Sequence, residues 1–386
     1  MGKDDFNRRN FLTLVAMGSL VLMGLNPVSS FGNVIKKLDS FNRSDLLFYL
    51  DSNGQKRPVT TLAEWAIKRK QILEEMQKAM GRLPNLSGLP ALDIEIIERL
   101  KESNYTRFTI SFTVAENERV PAYLYVPRRK SKKERLPAML SLHETDLMGK
   151  RSVDGEGHNI NLAYAKELAQ RGYVVIAPDY PSFGDLKEYD FKTDRYQSGT
   201  MKSIFDDMRC IDLLVTREDV DPDRIGVIGH SLGGHSAMFA GAFDTRLKVI
   251  ISSCGWTLMD YYNAGEETTK KYGGSLGPWA QERYMPLLRD KYDLDIKKIP
   301  FDFDEVIAAL APRAFFSNSP VNDSNFNVKG VRKVIAEVSE VYDFLGVKDK
   351  LKVRYPDSEH DFPPEVRFEA YRFIDKVLKI TSGNKK

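Results

Sequence analysis

The chain has 386 residues, enough for one large domain with a smaller attachment, and 42% of them are hydrophobic, so a sizeable core can form. Its formal net charge of +3 is nearly neutral for this length, which excludes the strongly basic balance typical of nucleic-acid-binding proteins. The one obvious basic run, residues 128–135, lies between two strand-like segments, and we interpret it as a solvated loop.

The first 30 residues (1–30) predict an export signal that is not part of the fold. An apolar stretch, Phe11–Leu25, has the length of a signal-peptide core and is short for a membrane span. Arg8 and Arg9 precede it, and together with Asn10-Phe11-Leu12 they resemble the twin-arginine export signal. We therefore expect an exported, periplasmic protein that meets the export machinery transiently and keeps no membrane span after signal removal. An uncleaved anchor or an ordinary secretion signal is the alternative.

Residues 31–90 predict an N-terminal helical extension packed on the main domain. The first half of this segment is polar and is expected to be irregular. Thr61 and Glu64 then have the spacing of a helix capping box. Apolar residues at helical spacing follow as far as Met80, which predicts one amphipathic helix.

Residues 91–386 predict an α/β main domain. Three segments, beginning near Ile94, Phe108 and Ala122, alternate apolar and polar residues as antiparallel strands do. Short apolar runs follow at 138–142, 174–177, 225–228, 249–251, 314–316 and 351–353. Such runs indicate buried parallel strands with helices on both faces. We expect a mostly parallel central sheet with antiparallel N-terminal strands, and an active site at the carboxyl ends of the parallel strands.

The sequence Gly229-His230-Ser231-Leu232-Gly233 lies between a strand-like run and a helical segment. Glycines at this spacing allow a very tight strand-to-helix turn, which pushes the serine hydroxyl out above the sheet. This context predicts a nucleophile elbow with Ser231 as the nucleophile. A glycine-rich turn without chemistry is the alternative.

A serine hydroxyl needs a general base, and of the five histidines only His360 follows the last predicted strand. We expect His360 to be that base, because the acid and then the histidine follow the serine along chains with such an elbow. Asp323, after the run at 314–316, is the predicted acid that orients His360. Asp260, after the preceding strand, is the alternative acid.

Backbone N–H groups must stabilise the negative charge on the substrate oxygen. Leu232, directly after the nucleophile, is expected to supply one of them. The second is expected from Glu144 or Thr145, in the loop after the run at 138–142, and which of the two donates is left open. The Glu144 carboxylate could also contact substrate or pair with Arg151, or have a purely structural role.

Together these motifs resemble the α/β-hydrolase superfamily over roughly residues 90–383. Within it, the chain is similar to the dienelactone-hydrolase and acetyl-xylan-esterase-like branch through residues 171–180, 223–226 and 311–313. Dienelactone hydrolases proper use a cysteine nucleophile, so the serine at position 231 indicates an esterase. The resemblance implies an α/β-hydrolase fold and an acyl-enzyme mechanism without a metal or an organic cofactor.

An insertion at residues 256–300 follows a core strand and should overhang the active site. Its predicted substrate-binding side chains are Trp256, Trp279, Arg283 and Tyr284. Aromatic faces can stack on sugar rings, and an arginine can bind a carboxylate. The alternative is a lid held together by its own aromatic core.

The resemblance and the export signal together imply hydrolysis of acyl esters on plant or algal polysaccharide or oligosaccharide. A glucuronoyl-ester hydrolase or a small serine peptidase is the alternative, and a non-catalytic protein is disfavoured because no triad residue is missing. Cys210 and Cys254 belong to no metal-binding or redox motif. We expect them to be buried free thiols, with a disulfide left open.

Overall fold

The structure is a computed structural model in which residues 45–378 are described. The predicted export signal and the first part of the extension lie outside these residues. In the described part, nine strands form one sheet and two short strands form a separate hairpin. None of the described helices is long and apolar enough to cross a membrane.

The strands and helices are numbered along the chain. The strands are β1 (Phe48–Leu50), β2 (Lys56–Pro58), β3 (Glu95–Lys101), β4 (Tyr105–Ala115), β5 (Glu118–Pro127), β6 (Leu136–Leu142), β7 (Val174–Pro178), β8 (Val220–His230), β9 (Leu247–Ser253), β10 (Ala314–Asn318) and β11 (Leu351–Arg354). The α-helices are α1 (Leu62–Met80), α2 (Tyr164–Gln170), α3 (Gly199–Thr216), α4 (Leu232–Phe243), α5 (Glu266–Tyr272), α6 (Leu287–Asp290), α7 (Phe303–Leu310), α8 (Val328–Phe344) and α9 (Pro364–Leu378).

The main sheet has the strand order β11-β10-β9-β8-β6-β7-β5-β4-β3. Neighbouring strands from β11 to β7 are parallel, whereas β5 joins β7 in antiparallel orientation and β4 and β3 continue that way. Each of the predicted apolar runs lies within one of the strands β6 to β11. The predicted fold class, a mostly parallel sheet opened by antiparallel strands, is confirmed.

Both faces of the parallel strands are covered by helices. Val227 and Ile250 pack into a core that includes α3, α4, α7 and α8, while their chain neighbours Ile228 and Ile251 pack with α2 and α9. Successive residues of a strand point to opposite faces, so strands with two covered faces need apolar residues at nearly every position. This is why the parallel strands are continuous apolar runs in the sequence.

The described part of the extension's first half, from residue 45 onward, is more regular than expected. Residues 48–58 form the hairpin of β1 and β2, in which Phe48 lies opposite Pro58. Asp51 Oδ1 accepts hydrogen bonds from the N–H groups of Asn53 and Gln55, each at 2.9 Å, and closes the turn. Strands of three residues are too short for alternation to be visible in a sequence, so the expectation of irregular structure was wrong here.

Helix α1 begins with the predicted capping box. The Glu64 N–H donates to Thr61 Oγ1 at 3.2 Å, and the Thr61 N–H donates to Glu64 Oε2 at 2.9 Å. The helix packs against the helices on one face of the sheet, where Arg69 Nε donates to the carbonyl of Ala309 at 2.8 Å. Its end is held by Ser198 Oγ, which donates to the carbonyl of Met80 at 2.5 Å.

The packing of α1 can be tested with two isoleucines of the same helix. Ile72 is 1% exposed and Ile67 is 43% exposed. We expect Ile72→Ala to lower the free energy of unfolding by about 2–5 kcal/mol because it opens a buried cavity. The matched control Ile67→Ala should change it by less than about 0.5 kcal/mol. Urea denaturation measures both, and equal losses would contradict the packing of this helix against the main domain.

Candidate active site

Ser231 occupies a sharp turn between the end of β8 at His230 and the start of α4 at Leu232. Its backbone angles are φ 52° and ψ −117°, a strained conformation for a residue with a side chain. The Ser231 N–H donates to the carbonyl of Ser253 at 2.8 Å and ties the turn to the neighbouring strand. This is the geometry of a nucleophile elbow at the carboxyl end of a central strand.

The glycines on either side of Ser231 are required by space. A Cβ atom on Gly233 would lie 2.0 Å from the carbonyl oxygen of Leu142, and one on Gly229 would lie 2.1 Å from the carbonyl oxygen of Gly233. Both contacts are with backbone atoms, which cannot move aside as a flexible side chain can. The glycine spacing that singled out this motif in the sequence therefore has a steric cause.

His360 and Asp323 form a hydrogen-bonded pair, with 2.8 Å between His360 Nδ1 and Asp323 Oδ2. The other carboxylate oxygen accepts from the N–H groups of Asn325 and Phe326, at 2.9 and 3.0 Å. Burial by itself raises the pKa of Asp323, but the hydrogen bond and charge of His360, followed by the two N–H groups, hold that pKa below its ordinary value. The carboxylate is therefore ionised and directed at the imidazole.

The alternative acid lies elsewhere. Asp260 belongs to the short helical turn Met259–Tyr261. Among the described residues, it is Asp323 and not Asp260 whose carboxylate bonds to His360. The Asp323 side chain is 1% exposed while that of His360 is 28% exposed, so the acid is shielded and the imidazole remains accessible.

His230 was not recognised from the sequence as part of this site. Its ring centroid is 4.9 Å from that of His360, so the imidazole of His360 lies beside the turn that carries Ser231. His230 Nδ1 is 2.9 Å from Ser253 Oγ. Burial, and then the charge of His360, lower the pKa of His230 well below its ordinary value, so this ring is neutral. The only sequence signal was its position directly before the serine.

A buried polar network holds the His360 loop against the strand ends. Asn318 Nδ2 donates to Ser253 Oγ at 2.9 Å and to the carbonyl of Asp361 at 2.8 Å. Cys254 Sγ donates to the same carbonyl at 3.3 Å. Asn318 Oδ1 accepts no hydrogen bond from a described residue, so the network holds the loop through the two bonds that Asn318 Nδ2 donates and the one from Cys254.

One group of possible metal ligands is present among the described residues. Cys254, Asp323 and His360 have ligand atoms within 4.8 Å of one another. His360 and Asp323 are already bonded to each other, and burial followed by the charge of Asp323 raises the pKa of the Cys254 thiol well above its ordinary value. We therefore assign these residues to an acid–base pair with a protonated thiol beside it. Cys210 and Cys254 are both buried and free, as expected.

The loop predicted to supply the second oxyanion donor follows β6. Leu232 is the first residue of α4, so its N–H has no acceptor within the helix. On the opposite side, the N–H of Glu144 faces its own carboxylate and by itself lowers the pKa of that group, so Thr145 is the better candidate for the second predicted donor.

The Glu144 carboxylate is held by Ser152, whose Oγ donates to Oε2 at 2.9 Å. Arg151, the partner considered from the sequence, instead pairs with Asp185 at 3.3 Å, so that part of the prediction was wrong. Burial raises the pKa of Glu144 above its ordinary value, despite the bonds from its own N–H and from Ser152. Its bond to Ser152 ties the loop after β6 to the helical turn at residues 149–154.

His143 holds this loop in place, and it too was not recognised from the sequence as part of the site. Its Nδ1 donates to the carbonyl of Glu144 at 2.6 Å, and its Nε2 accepts the N–H of Tyr180 at 2.9 Å. One neutral tautomer satisfies both bonds. The ring therefore joins the loop after β6 to the loop after β7.

The insertion contributes one wall of the site. Tyr284 is buried, packs its ring 6.1 Å from that of Tyr180 and lies beside the side chain of Thr145. The Tyr180 hydroxyl donates to the carbonyl of Arg283 at 2.8 Å. The Arg283 guanidinium lies 5.4 Å from the ring centroid of Phe183 and forms no ion pair with any described residue. Tyr284 and Arg283 are therefore brought to the oxyanion side of the site.

The two tryptophans of the insertion behave differently from expectation. Trp256 is 1% exposed and its Nε1 donates to Ser317 Oγ at 3.0 Å, so it is a core residue and the prediction that it binds substrate was wrong. Trp279 stacks on the buried ring of His235, with centroids 4.3 Å apart. One face of Trp279 is thus occupied by the protein, as in a lid with its own aromatic core.

Comparisons with known proteins agree with this architecture. Residues 120–267 match the family described as "Dienelactone hydrolase family", and residues 194–346 match the one described as "Glucuronyl esterase, fungi". The two matched regions overlap over the nucleophile elbow.

Individual relatives extend the likeness over most of the chain. The Bacillus subtilis protein YtaP, which carries the name of a hydrolase, is 28% identical over 81% of this chain and 99% of its own length. Carbohydrate esterase MZ0003, from an unidentified prokaryote, is 26% identical over 78% of both chains. The solved structure of a glucuronoyl esterase from Solibacter usitatus has a TM-score of 0.66 at 21% identity, over 88% of this chain and 98% of that one, and so shares the fold.

The sheet topology and the strained serine turn give the chain the fold of the α/β-hydrolase superfamily, as the sequence motifs indicated, and residues 120–267 match the dienelactone hydrolase family. Within that superfamily the esterase relatives and family matches identify it as a carboxylic-ester hydrolase.

The close contact under the elbow can be tested by adding one methyl group. Gly233→Ala would set a Cβ against the Leu142 carbonyl oxygen, whereas Gly241→Ala, in the same helix, meets Ile250 Cγ1 at 2.7 Å, a side-chain atom. We expect Gly233→Ala to cost more than about 3 kcal/mol of unfolding free energy, and Gly241→Ala about 1–2 kcal/mol because its neighbours can shift. Thermal unfolding ranks the two, and the reverse order would contradict the steric account of the elbow.

Proposed function

We propose that the protein hydrolyses carboxylic esters through a triad of Ser231, His360 and Asp323. Ser231 Oγ attacks the ester carbonyl while His360 accepts its proton and then returns it to the leaving alcohol. Asp323 keeps His360 in the required tautomer, and the N–H groups of Leu232 and Thr145 stabilise the oxyanion. Water then attacks the acyl-enzyme, again with His360 as the base.

The observation that carries this proposal is the bonded His360–Asp323 pair beside a strained serine turn. A buried, ionised acid directed at an accessible imidazole is the arrangement that general-base catalysis requires. The ring of His230, which ends β8, lies beside that of His360, with 4.9 Å between the ring centroids, so the pair is next to the turn that carries Ser231. These features support proton transfer at the Ser231 hydroxyl.

We infer that the substrate is a carbohydrate ester, and that an ester of a uronic acid is the favoured class. The carbohydrate esterase relative and the glucuronyl esterase match over residues 194–346, which contain Ser231 and Asp323, support this substrate. Arg283 is compatible with this substrate: it forms no ion pair with a described residue, so its guanidinium can bind the uronate product through two parallel hydrogen bonds once the ester has been hydrolysed.

An acyl ester on a sugar hydroxyl is the second candidate. Tyr180, Phe183, Leu232 and Tyr284 form an apolar cluster around the residue that follows the nucleophile. Such a wall suits a small acyl group, such as acetyl, and an aromatic face for the sugar. The triad would act identically on both substrates, so selectivity between them would depend on this apolar cluster and on Arg283.

The triad can be tested by three substitutions assayed on p-nitrophenyl acetate. We expect Ser231→Ala to abolish hydrolysis and labelling by a fluorophosphonate probe, because the variant lacks the proposed nucleophile. Asp323→Asn should lower kcat by about 10²- to 10⁴-fold, since the imidazole loses its orienting carboxylate. Asp260→Asn is the matched control and should leave kcat nearly unchanged. A larger loss from Asp260→Asn than from Asp323→Asn would refute the assignment of the acid.

Arg283 separates the two substrate classes. If it holds a uronate, Arg283→Gln should weaken inhibition by free glucuronate by about tenfold, the effect of losing a charged hydrogen bond. The KM for p-nitrophenyl acetate should not change. Arg289→Gln, an exposed arginine of the same insertion that already pairs with Asp290, is the control. Unchanged inhibition by glucuronate would favour the acyl-sugar ester, and equal changes with both ligands would mean that Arg283 acts only on the structure of the wall.

We further propose that the protein acts outside the cytoplasm after export by a twin-arginine signal. The proposal rests on residues 1–30, with their two consecutive arginines before an apolar stretch. A reporter fused behind these residues should be exported, and Arg8→Lys with Arg9→Lys should block that export. Export that persists in the double variant would indicate an ordinary secretion signal.

A further inference from the structure

The side chain of Asp361, the residue that follows His360, is held by two asparagines from a distant part of the chain. Asn159 Nδ2 donates to Asp361 Oδ1 at 2.8 Å, and Asn161 Nδ2 donates to Asp361 Oδ2 at 2.7 Å. Both asparagines belong to the short helical turn Ile160–Leu162 and its cap. Each oxygen of the Asp361 carboxylate therefore has an amide donor of its own.

The orientation of both amides is fixed by the bonds that their oxygens accept. Asn159 Oδ1 accepts the N–H of Asn161 at 2.9 Å, as the cap of the turn. Asn161 Oδ1 accepts from Arg367 Nη1 at 3.2 Å. Because each oxygen faces a donor, each Nδ2 group is directed at Asp361. A flipped amide would place an oxygen against the carboxylate, so the two asparagines have one favourable arrangement.

Arg367, which supports Asn161, is itself buried and anchored. It is 4% exposed, and its guanidinium binds the carboxylate of Glu167 through two hydrogen bonds, at 2.9 and 3.1 Å. Glu167 also accepts the hydroxyl of Tyr371. Glu167 lies in α2, whereas Arg367 and Tyr371 lie in α9. The turn that holds Asp361 is therefore backed by a bidentate ion pair between two helices.

The backbone of Asp361 is held as well. Its N–H donates to the carbonyl of Glu359 at 2.8 Å, which closes a three-residue turn with His360 at its centre. Its carbonyl accepts from Asn318 Nδ2 at 2.8 Å and from Cys254 Sγ at 3.3 Å. Because consecutive Cα atoms are only about 3.8 Å apart, a displacement of Asp361 also displaces the backbone of His360.

The contacts of the His360 ring leave a role for this backbone anchor. The ring bonds to Asp323 through Nδ1 at 2.8 Å, and it stacks on Phe326 with 5.9 Å between the ring centroids. The Asp323 bond sets the tautomer and the Nδ1 end of the ring. The position of Nε2, the nitrogen that would accept the serine proton, also depends on where the backbone of His360 is held.

We propose that Asp361 is a positioning residue for His360, and that Asn159 and Asn161 act on this base through the Asp361 carboxylate. The inference rests on the proposed function, because it assigns a role to residues behind the proposed general base. Asp323 already occupies Nδ1 of His360, so Asp361 is not the acid of the triad. A base works only within hydrogen-bond reach of the proton it takes, so a small displacement lowers kcat strongly.

Exchanging the amide and the carboxylate tests this arrangement. Asp361→Asn alone sets one amide donor against another, and Asn161→Asp alone sets two carboxylates against each other. We expect each variant to lower kcat for p-nitrophenyl acetate by about 10- to 100-fold with little change in KM. In the double variant, the amide at position 361 donates to the carboxylate at position 161, which still accepts from Arg367. Its kcat should return to within about threefold of the wild-type value.

Asp357→Asn is the matched control. Asp357 lies in the same loop as His360 and accepts from Asn322 Nδ2 at 2.8 Å, in an exposed bond of the same kind. This variant should keep the wild-type kcat. Thermal unfolding checks that every variant is folded, and we expect the Tm of each to fall by no more than about 3 °C, as for the loss of one hydrogen bond.

A readout without substrate separates this inference from the proposed function. The chain has five histidines, and in protein labelled with ¹⁵N-histidine the variant His360→Ala identifies the His360 signals. We expect the Nδ1 proton of His360 to be protected by Asp323 in the wild type, broadened in each single variant and sharp again in the double variant. Single variants with wild-type kcat and signals, a rise in KM alone, or a double variant that recovers neither would overturn the proposal. The expected signals in a chain that hydrolyses no ester would refute only the proposed function.

Discussion

The approach of helix α4 to the end of β6 is the contact on which the candidate site depends. Gly233 lies so close to the carbonyl of Leu142 that no side chain fits between them. This contact brings the start of α4, with the free N–H of Leu232, up to the loop that carries Thr145. It also forces Ser231 into its strained turn, since Ser231 is the single residue that connects the end of β8 to the start of α4. The energy of that strain is offset by the packing of α4 in the core.

The polar groups under the site join segments that are far apart in the chain. Asn318, at the end of β10, bonds to the end of β9 and to the loop of His360 at once. Ser253 carries the connection on to His230, next to the nucleophile. A displacement of any one loop would leave buried polar atoms unpaired, so the loops are held in register with each other. The relative positions of the candidate catalytic residues therefore depend on the ends of several strands together.

Helix α3 anchors the insertion. The N–H groups of Gly199 and Thr200, at its first turn, donate to the carbonyls of Glu282 and Tyr284, each at 3.0 Å. The insertion is therefore held on a helix start, whose N–H groups it satisfies. The wall that Tyr284 contributes is thus positioned by a helix whose buried residues pack in the main core.

By itself, the sequence determined the fold class and the tight turn at Ser231, because these follow from local patterns, and it selected His360 as the candidate base by chain order. Continuous apolar runs, glycine spacing and chain order are visible without knowing which segments meet. Only the tertiary structure decided that Asp323 rather than Asp260 bonds to His360, and that Trp256 is a core residue. Those outcomes depend on which side chains, far apart in the sequence, pack against each other in the fold. The spacing of residues along the chain does not contain that information.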